Sequence, residues 1–249
     1  MTPEISVVLP AKDEAGNIVP LLRAIAVALQ EDLHEIIVVD DASTDGTRQE
    51  LAALQTSLPH LRVICHDRSC GQSAAIRSGV LAARGELIAT LDADGQNPPE
   101  NLPALLAPFR LGNPTLGLVQ GQRVGRRDRW TRRLASRLAN QIRATLLRDG
   151  VQDSGCGLKA FPRDVYLVLP FFDHIHRFMP AMIAREGLGV ITIPVTHAPR
   201  TFGRSKYGNL QRAMVGIVDL LGAAWLIRRR RLPQAQELSG AAQDMRGAA

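Results

Sequence analysis

The chain has 249 residues, 45% of them apolar, a formal charge of +6 and three cysteines. That apolar share is enough for one large α/β domain with an appendage, or two small domains, and it excludes intrinsic disorder; the scattered Cys65, Cys70 and Cys156 exclude a disulfide framework and read as reduced thiols of a cytosolic protein. Aromatic residues make up only 4% and are not interleaved with the arginine clusters, so the stacking platform of a single-strand binder is missing and no nucleic-acid partner is expected.

Residues 5–9 (ISVVL) read as a strand that Pro10 ends. Nothing before them has the basic flank of a signal peptide. Asn17 is placed to cap a helix whose apolar residues Ile18, Leu21, Leu22, Ile25 and Leu29 follow helical spacing. Residues 35–39 form a second apolar strand that runs into DDASTDGT (40–47), and a helix carrying Leu51 and Leu54 follows. A third strand at 61–65 precedes a small-residue helix at 71–83, and a fourth strand at 87–91 stops on Asp92-Ala93-Asp94-Gly95-Gln96. Strand–helix alternation with near-continuous apolar strands predicts a mainly parallel sheet covered on both faces.

Three acidic or polar clusters, at 10–14, 40–45 and 92–96, therefore fall at strand ends of one sheet, where ligands of open α/β sheets collect. Asp92 and Asp94, one residue apart, can converge on a hard cation with the Gln96 amide oxygen beside them; oxygen donors favour Mg²⁺ or Mn²⁺ over zinc. The same letters also suit a solvated acidic turn. No GxxxxGK[ST] stretch occurs, and the GxGxxA match at 155–160 has no strand–turn–helix context, so neither a P-loop nor a dinucleotide fingerprint is read here.

The second half changes character. Residues 116–121 predict another strand, and 126–148 an amphipathic helix rich in arginine, either a surface helix or one facing phosphate or lipid headgroups. His174 and His176 precede a helix at 177–186; without a third ligand, packing or capping is the reading rather than a metal pair. An edge-type strand at 190–195 ends in Pro194, and the basic glycine loop 200–207 could close over an anion. Residues 210–227 are apolar apart from Gln211, Arg212 and Asp219 and end in Arg228 to Arg231. They are too short and interrupted for a span of roughly 20 apolar residues, and fit either an interfacial helix or a core helix with a charged end.

On VVLPAKDE (7–14), VVDDASTDGT (38–47), DADGQNPPE (92–100), DSGCGLK (153–159) and RTFGRSKY (200–207), the chain resembles the family-2 inverting glycosyltransferases of the polyprenyl-phosphate type, with the dolichol-phosphate mannosyltransferases as the nearest named group. It is also similar to bacterial undecaprenyl-phosphate sugar transferases. The resemblance implies a GT-A nucleotide-diphospho-sugar transferase fold over residues 1–206; beyond it, 207–231 read as an amphipathic membrane-interface helix with a basic end and the small, polar stretch 232–249 as a disordered tail. It implies Pro10, Ala11, Glu14, Asp40, Asp41, Ser43, Asp92, Asp94 and Arg123 around the nucleotide-diphosphate sugar, and Asp92, Asp94 and Gln96 on Mg²⁺ or Mn²⁺. Arg126, Arg200, Ser205 and Lys206 would meet the acceptor phosphate, and Asp153, Asp94, Arg200 and Lys206 the reacting centre. The implied acceptor is a polyprenyl phosphate, met by a peripheral enzyme on the cytoplasmic face of the membrane, with or without a small membrane-anchoring protein. Mannose from GDP-mannose is the leading donor by this likeness; UDP-sugars, a soluble acceptor, and a nucleotide-binding scaffold without turnover stay open.

Overall fold

The computed structural model describes residues 3–124, 146–147, 149–151, 153–198 and 209–231, with side chains from 216 onward in the last of these segments. The expected helix at 126–148 (save Leu146 and Leu147), the basic loop 200–207 and the tail 232–249 lie outside the described residues.

Among the described residues seven strands form one sheet: β1 (Ile5–Ala11), β2 (His34–Asp40), β3 (Leu61–Cys65), β4 (Leu87–Thr90), β5 (Leu116–Arg123), β6 (Lys159–Pro162) and β7 (Gly189–Val195). Their order is β3-β2-β1-β4-β6-β5-β7. All neighbours run parallel except β6, which lies antiparallel between β4 and β5. Seven α-helices are described: α1 (Ile18–Ala28), α2 (Thr47–Gln55), α3 (Gln72–Ala82), α4 (Leu102–Arg110), α5 (Arg163–Leu167), α6 (Ile175–Arg185) and α7 (Asn209–Arg229).

Alternation along the strands divides the core. Val7, Leu9, Ile36 and Val38 pack with Ile18, Leu22 and Leu51 of α1 and α2 and with Leu102 and Leu105 of α4; Val8, Ile37 and Val39 pack with Ala75, Ile76 and Val80 of α3 and with Met179 and Met182 of α6. Because both faces are covered at the centre of the sheet, β1, β2 and β4 need apolar residues in succession, which is why their runs read so plainly. Each fully buried Val, Leu or Ile contributes about 1.5–3 kcal/mol of transfer free energy.

Four local expectations need correction. Pro10 does not end β1, which continues through Ala11 in register with Asp40. Pairing with β4 stops at Val8, so beyond that point β1 has one neighbour and tolerates a residue without an N–H. Pro194 likewise sits within β7, an edge strand, and not at its end. Asn17 makes no side-chain cap; its amide donates instead to Glu14 at 2.9 Å. The helix expected from residue 177 starts at Ile175, with His174 before it in the left-handed region at φ 62°. The two histidines have separate polar partners, His174 Nδ1 pairing with Asp219 of α7 at 2.9 Å and His176 Nδ1 with Ser73 at 2.7 Å, while their rings meet edge-on with centroids 6.2 Å apart.

Helix α7 is packed along one side and exposed along another. Ala223 and Ala224 are buried in the core, and Arg185 Nε donates to the Leu226 carbonyl at 3.1 Å while Arg230 holds Glu186 at 2.8 Å. Ile217, Val218, Leu221 and Trp225 form a separate stripe with 60–69% exposure. Among the described residues no helix is long and apolar enough to cross a membrane.

Candidate active site

The carboxyl ends of β2, β1 and β4 lie side by side and point the same way, which brings the three polar clusters to one edge. At the first two ends, much of the acidity is consumed in building loops. Asp13 and Ala42 both adopt positive φ, at 53° and 56°. Their turns are stitched together as Asp13 N–H donates to Ser43 Oγ at 2.9 Å, Thr44 N–H to Asp13 at 2.7 Å and Glu14 N–H to Thr47 Oγ1 at 2.9 Å. Asp40 is fully buried, accepting from the Ser43 N–H at 3.1 Å and from Arg48 Nε. Asp41 accepts from four donors: His66 Nδ1 at 2.8 Å, Ser69 Oγ at 2.7 Å, and the backbone N–H groups of Cys70 at 2.7 Å and Gly71 at 2.9 Å. Four donors match the four lone-pair sites of a carboxylate. Burial would raise Asp41, but these bonds outweigh it and hold the carboxyl below its usual range. Asp40, Asp41 and Ser43 thus belong to the framework of the two loops, with both carboxylates turned to protein donors. Pro10 lines the cleft beside them, Ala11 accepts the Asp41 N–H at 2.8 Å, and Glu14 begins the first loop.

The third end is different. Asp92 sits recessed but reachable at the floor of a cleft of about 270 Å³, lined also by Gln72, Thr90, Gly157, Lys159, His176 and Arg177. Gln72 Nε2 donates to one oxygen at 2.8 Å and Asn97 Nδ2 to the other at 3.2 Å. Among the described residues one donor meets each oxygen, fewer than the two lone pairs each can offer. Burial, reinforced by Asp94, pushes the Asp92 carboxyl up, while Lys159, Asn97 and Arg123 oppose the rise. Asp94 accepts the Gln96 N–H at 3.1 Å, folding the triplet back on itself, and Gln96 O accepts the Ala198 N–H at 3.0 Å. A methyl on Gly157 would lie 2.3 Å from an Asp92 oxygen, so only glycine admits the carboxylate here. Thr90 fixes that turn by donating to the Gly157 carbonyl at 2.9 Å.

Across the cleft, Arg123 grips Asp153 with both prongs, Nε and a terminal nitrogen each at 2.7 Å. The pairing raises the guanidinium further, and the planar fork fixes the carboxylate's orientation. Gln120 donates to the carbonyls of Asp153 at 2.9 Å and Cys156 at 3.3 Å. Lys159, 3% exposed, places its ammonium on the Cys156 carbonyl; burial pushes its pKa down against the pull of Cys156, Asp92 and Asp153. Burial, with Lys159 and Arg177 nearby, holds His176 well below its ordinary value, so the imidazole is neutral.

The structure therefore brings together Pro10, Asp92, Asp94, Arg123 and Asp153, while Arg126, Arg200, Ser205 and Lys206 lie outside the described residues. Sequence reasoning missed Gln72, Lys159, His176 and Arg177 as lining residues. Lys159 belonged to the stretch carrying the family likeness, and His176 was read as packing; Gln72 had no signal beyond following Gly71, whose φ of 87° turns the chain into α3.

Oxygen donors at a strand-end edge, in a mainly parallel sheet with one reversed strand, define a GT-A nucleotide-diphospho-sugar transferase fold. The chain belongs to Glycosyl transferase family 2, whose profile matches residues 6–168. It is 34% identical over 248 residues to the dodecaprenyl-phosphate galacturonate synthase of Rhizobium johnstonii, covering 92% of this chain and 69% of that protein. It is 36% identical over 208 residues to the undecaprenyl-phosphate 4-deoxy-4-formamido-L-arabinose transferase of Enterobacter sp. (strain 638), covering 82% of this chain and 62% of that one. The chain thus spans roughly two thirds of the length of either relative. Among solved structures it resembles glucosyl-3-phosphoglycerate synthase from Mycobacterium tuberculosis with Mn²⁺, UDP-glucose and phosphoglyceric acid (TM-score 0.69, 23% identity, 90% of this chain, 80% of that one). It also resembles the mannosyltransferase PcManGT from Pyrobaculum calidifontis with GDP-Man and Mn²⁺ (TM-score 0.64, 22% identity, 94% and 66%).

Proposed function

We propose that this protein transfers a sugar, with inversion, from a nucleotide diphosphate to a polyprenyl phosphate at a membrane surface. The observation that carries the reading is the pocketed Asp92, seated on Gly157 with Asp94 beside it and the Arg123–Asp153 pair opposite. The names of the two curated relatives supply the acceptor class, and the exposed stripe of α7 with its arginine end supplies a way to meet it.

The residues fit a divalent ion. Two neighbouring carboxylates, one of them raised by burial and by its neighbour, gain from a cation, and Asp92 keeps lone pairs for it. Asp92, Asp94 and the Gln96 amide oxygen would hold Mg²⁺ or Mn²⁺, which when bound supplies Lewis-acid neutralisation of charge on the departing nucleoside diphosphate. Gln72 and Asn97 hold Asp92 in place while this happens. The acceptor is a phosphate monoester, whose second pKa of about 6 leaves it mostly ionised at neutral pH, so little general-base help is required. Asp153, committed to Arg123, orients the reacting groups rather than taking a proton. Arg126, Arg200, Ser205 and Lys206 complete the reading as ligands of the lipid phosphate, as guanidinium and ammonium groups suit phosphates. Peripheral binding on the cytoplasmic leaflet follows from the basic end of α7, since anionic lipids attract such arginines. The same stripe would also serve a small membrane-anchoring protein, and vesicle binding by the chain alone discriminates between the two.

For the donor, galacturonate and formamido-arabinose, the sugars in the relatives' names, join GDP-mannose as the candidates. The test is a panel of GDP- and UDP-sugars with a short polyprenyl phosphate and Mg²⁺ or Mn²⁺, following nucleoside diphosphate release. Release that requires the lipid phosphate is expected; equal turnover on lipid-free saccharides would overturn the acceptor assignment.

A further inference from the structure

Outside the cleft, Asp41, His66 and Cys70 present a carboxylate oxygen, an imidazole nitrogen and a thiol sulfur, all within 4.8 Å of one another. We propose that this trio is a zinc site, separate from the oxygen-donor pair of Asp92 and Asp94. Its donor set is mixed nitrogen, sulfur and oxygen, which suits Zn²⁺ and is foreign to Mg²⁺. Three protein ligands leave a fourth, open position for water.

The surroundings are arranged as a metal site requires. His66 Nδ1 faces Asp41 Oδ1 at 2.8 Å, and its other nitrogen, Nε2, meets Ser78 Oγ at 2.9 Å. The ion takes the place of the proton between His66 and Asp41. The ring proton moves to Nε2, where Ser78 Oγ accepts it, and the thiol proton of Cys70 leaves to solvent. Ser69 Oγ and the Gly71 N–H hold the second oxygen of Asp41 at 2.7 and 2.9 Å, so the carboxylate is fixed before any ion arrives. Cys70 is exposed, which gives the ion a way in. Occupancy staples the 66–71 loop to the end of β2, immediately before Gln72 and its bond to Asp92.

The test uses the full chain, reduced and freed of metal, titrated with Co²⁺ and then Zn²⁺. A thiolate-to-cobalt charge-transfer band is expected, displaced by Zn²⁺, and an ion at Asp92 and Asp94 cannot produce it. The band should vanish in Cys70→Ser and persist in Cys65→Ser and Asp94→Ala. Ser78→Ala should weaken Zn²⁺ binding roughly 10–100-fold by removing support for the ligand ring. At a hundredfold excess over Kd, Zn²⁺ should raise the Tm of wild type by roughly 5–10 °C and leave that of Cys70→Ser unmoved. No band in wild type, or a band that survives in Cys70→Ser, overturns the proposal. The melting curve of Cys70→Ser without metal verifies that the variant is folded.

Discussion

Adding one methyl group, Gly157→Ala, separates the cost of folding from the cost of catalysis. The new carbon would sit 2.3 Å from one Asp92 oxygen, 2.5 Å from its carboxyl carbon and 2.6 Å from the other oxygen. Ordinary contact begins near 3.4 Å, so the carboxylate must retreat by about 1.1 Å (3.4 − 2.3). What moves is the end of a side chain and not backbone, so the stability loss falls at the low end of the overpacking range, about 1 kcal/mol, or roughly 2–4 °C in Tm. The retreat pulls Asp92 from Gln72 and Asn97, held at 2.8 and 3.2 Å, and from any ion it shares with Asp94. Misplacement by about 1 Å of a positioning group costs on the order of 100-fold in rate. Paired thermal melts and kcat/KM measurements at saturating Mn²⁺ test this. A variant with wild-type kcat/KM, or one whose activity falls only as far as its folded fraction, would refute the argument that Gly157 exists to admit the carboxylate.

Asp94→Ala should abolish divalent-ion-dependent transfer while leaving the melting curve within a degree or two of wild type; undiminished turnover would remove the ion from the mechanism. With metal chelated, the two strand-end aspartates should act on stability in opposite directions. Asp92 is raised on folding, so above its unfolded value of about 3.9 it penalises the fold as pH rises toward the folded value, and Asp92→Asn should melt higher than wild type at pH 7. Asp41 is lowered, so it stabilises above that same value and loses this as pH falls through the folded one; Asp41→Asn should melt lower at pH 7, with both gaps closing in acid. Arg228, Arg229 and Arg231 are exposed, whereas Arg230 is tied to Glu186 at 2.8 Å. Replacing the three exposed arginines by Gln should cost about 1 kcal/mol each on anionic vesicles, on the order of 100-fold together, in a co-sedimentation assay; unchanged binding would discard the interfacial role of α7.

The parallel half of the sheet was legible because β1, β2 and β4 are covered on both faces and so carry unbroken apolar runs. The insertion of β6 between β4 and β5 was not, since four residues at 159–162 hold no periodicity and their pairing is set by partners some 40 and 70 positions away. The prolines misled for one reason: a strand's tolerance for proline depends on whether it has a neighbour on that side, which is a property of the sheet. The pairing of Asp92 with Asp94 at one strand end was legible from their spacing. The occupation of Asp41 could not, because its donors come from a loop 25–30 residues further on. The facing of Arg123 and Asp153 was equally hidden, as a separation of 30 residues carries no local signature.

The short stretch from His66 to Gln72 touches two strand ends at once, closing on Asp41 at its start and reaching Asp92 with its last side chain. An ion on the proposed zinc trio would therefore tie down the same stretch whose last side chain braces the carboxylate of the cleft.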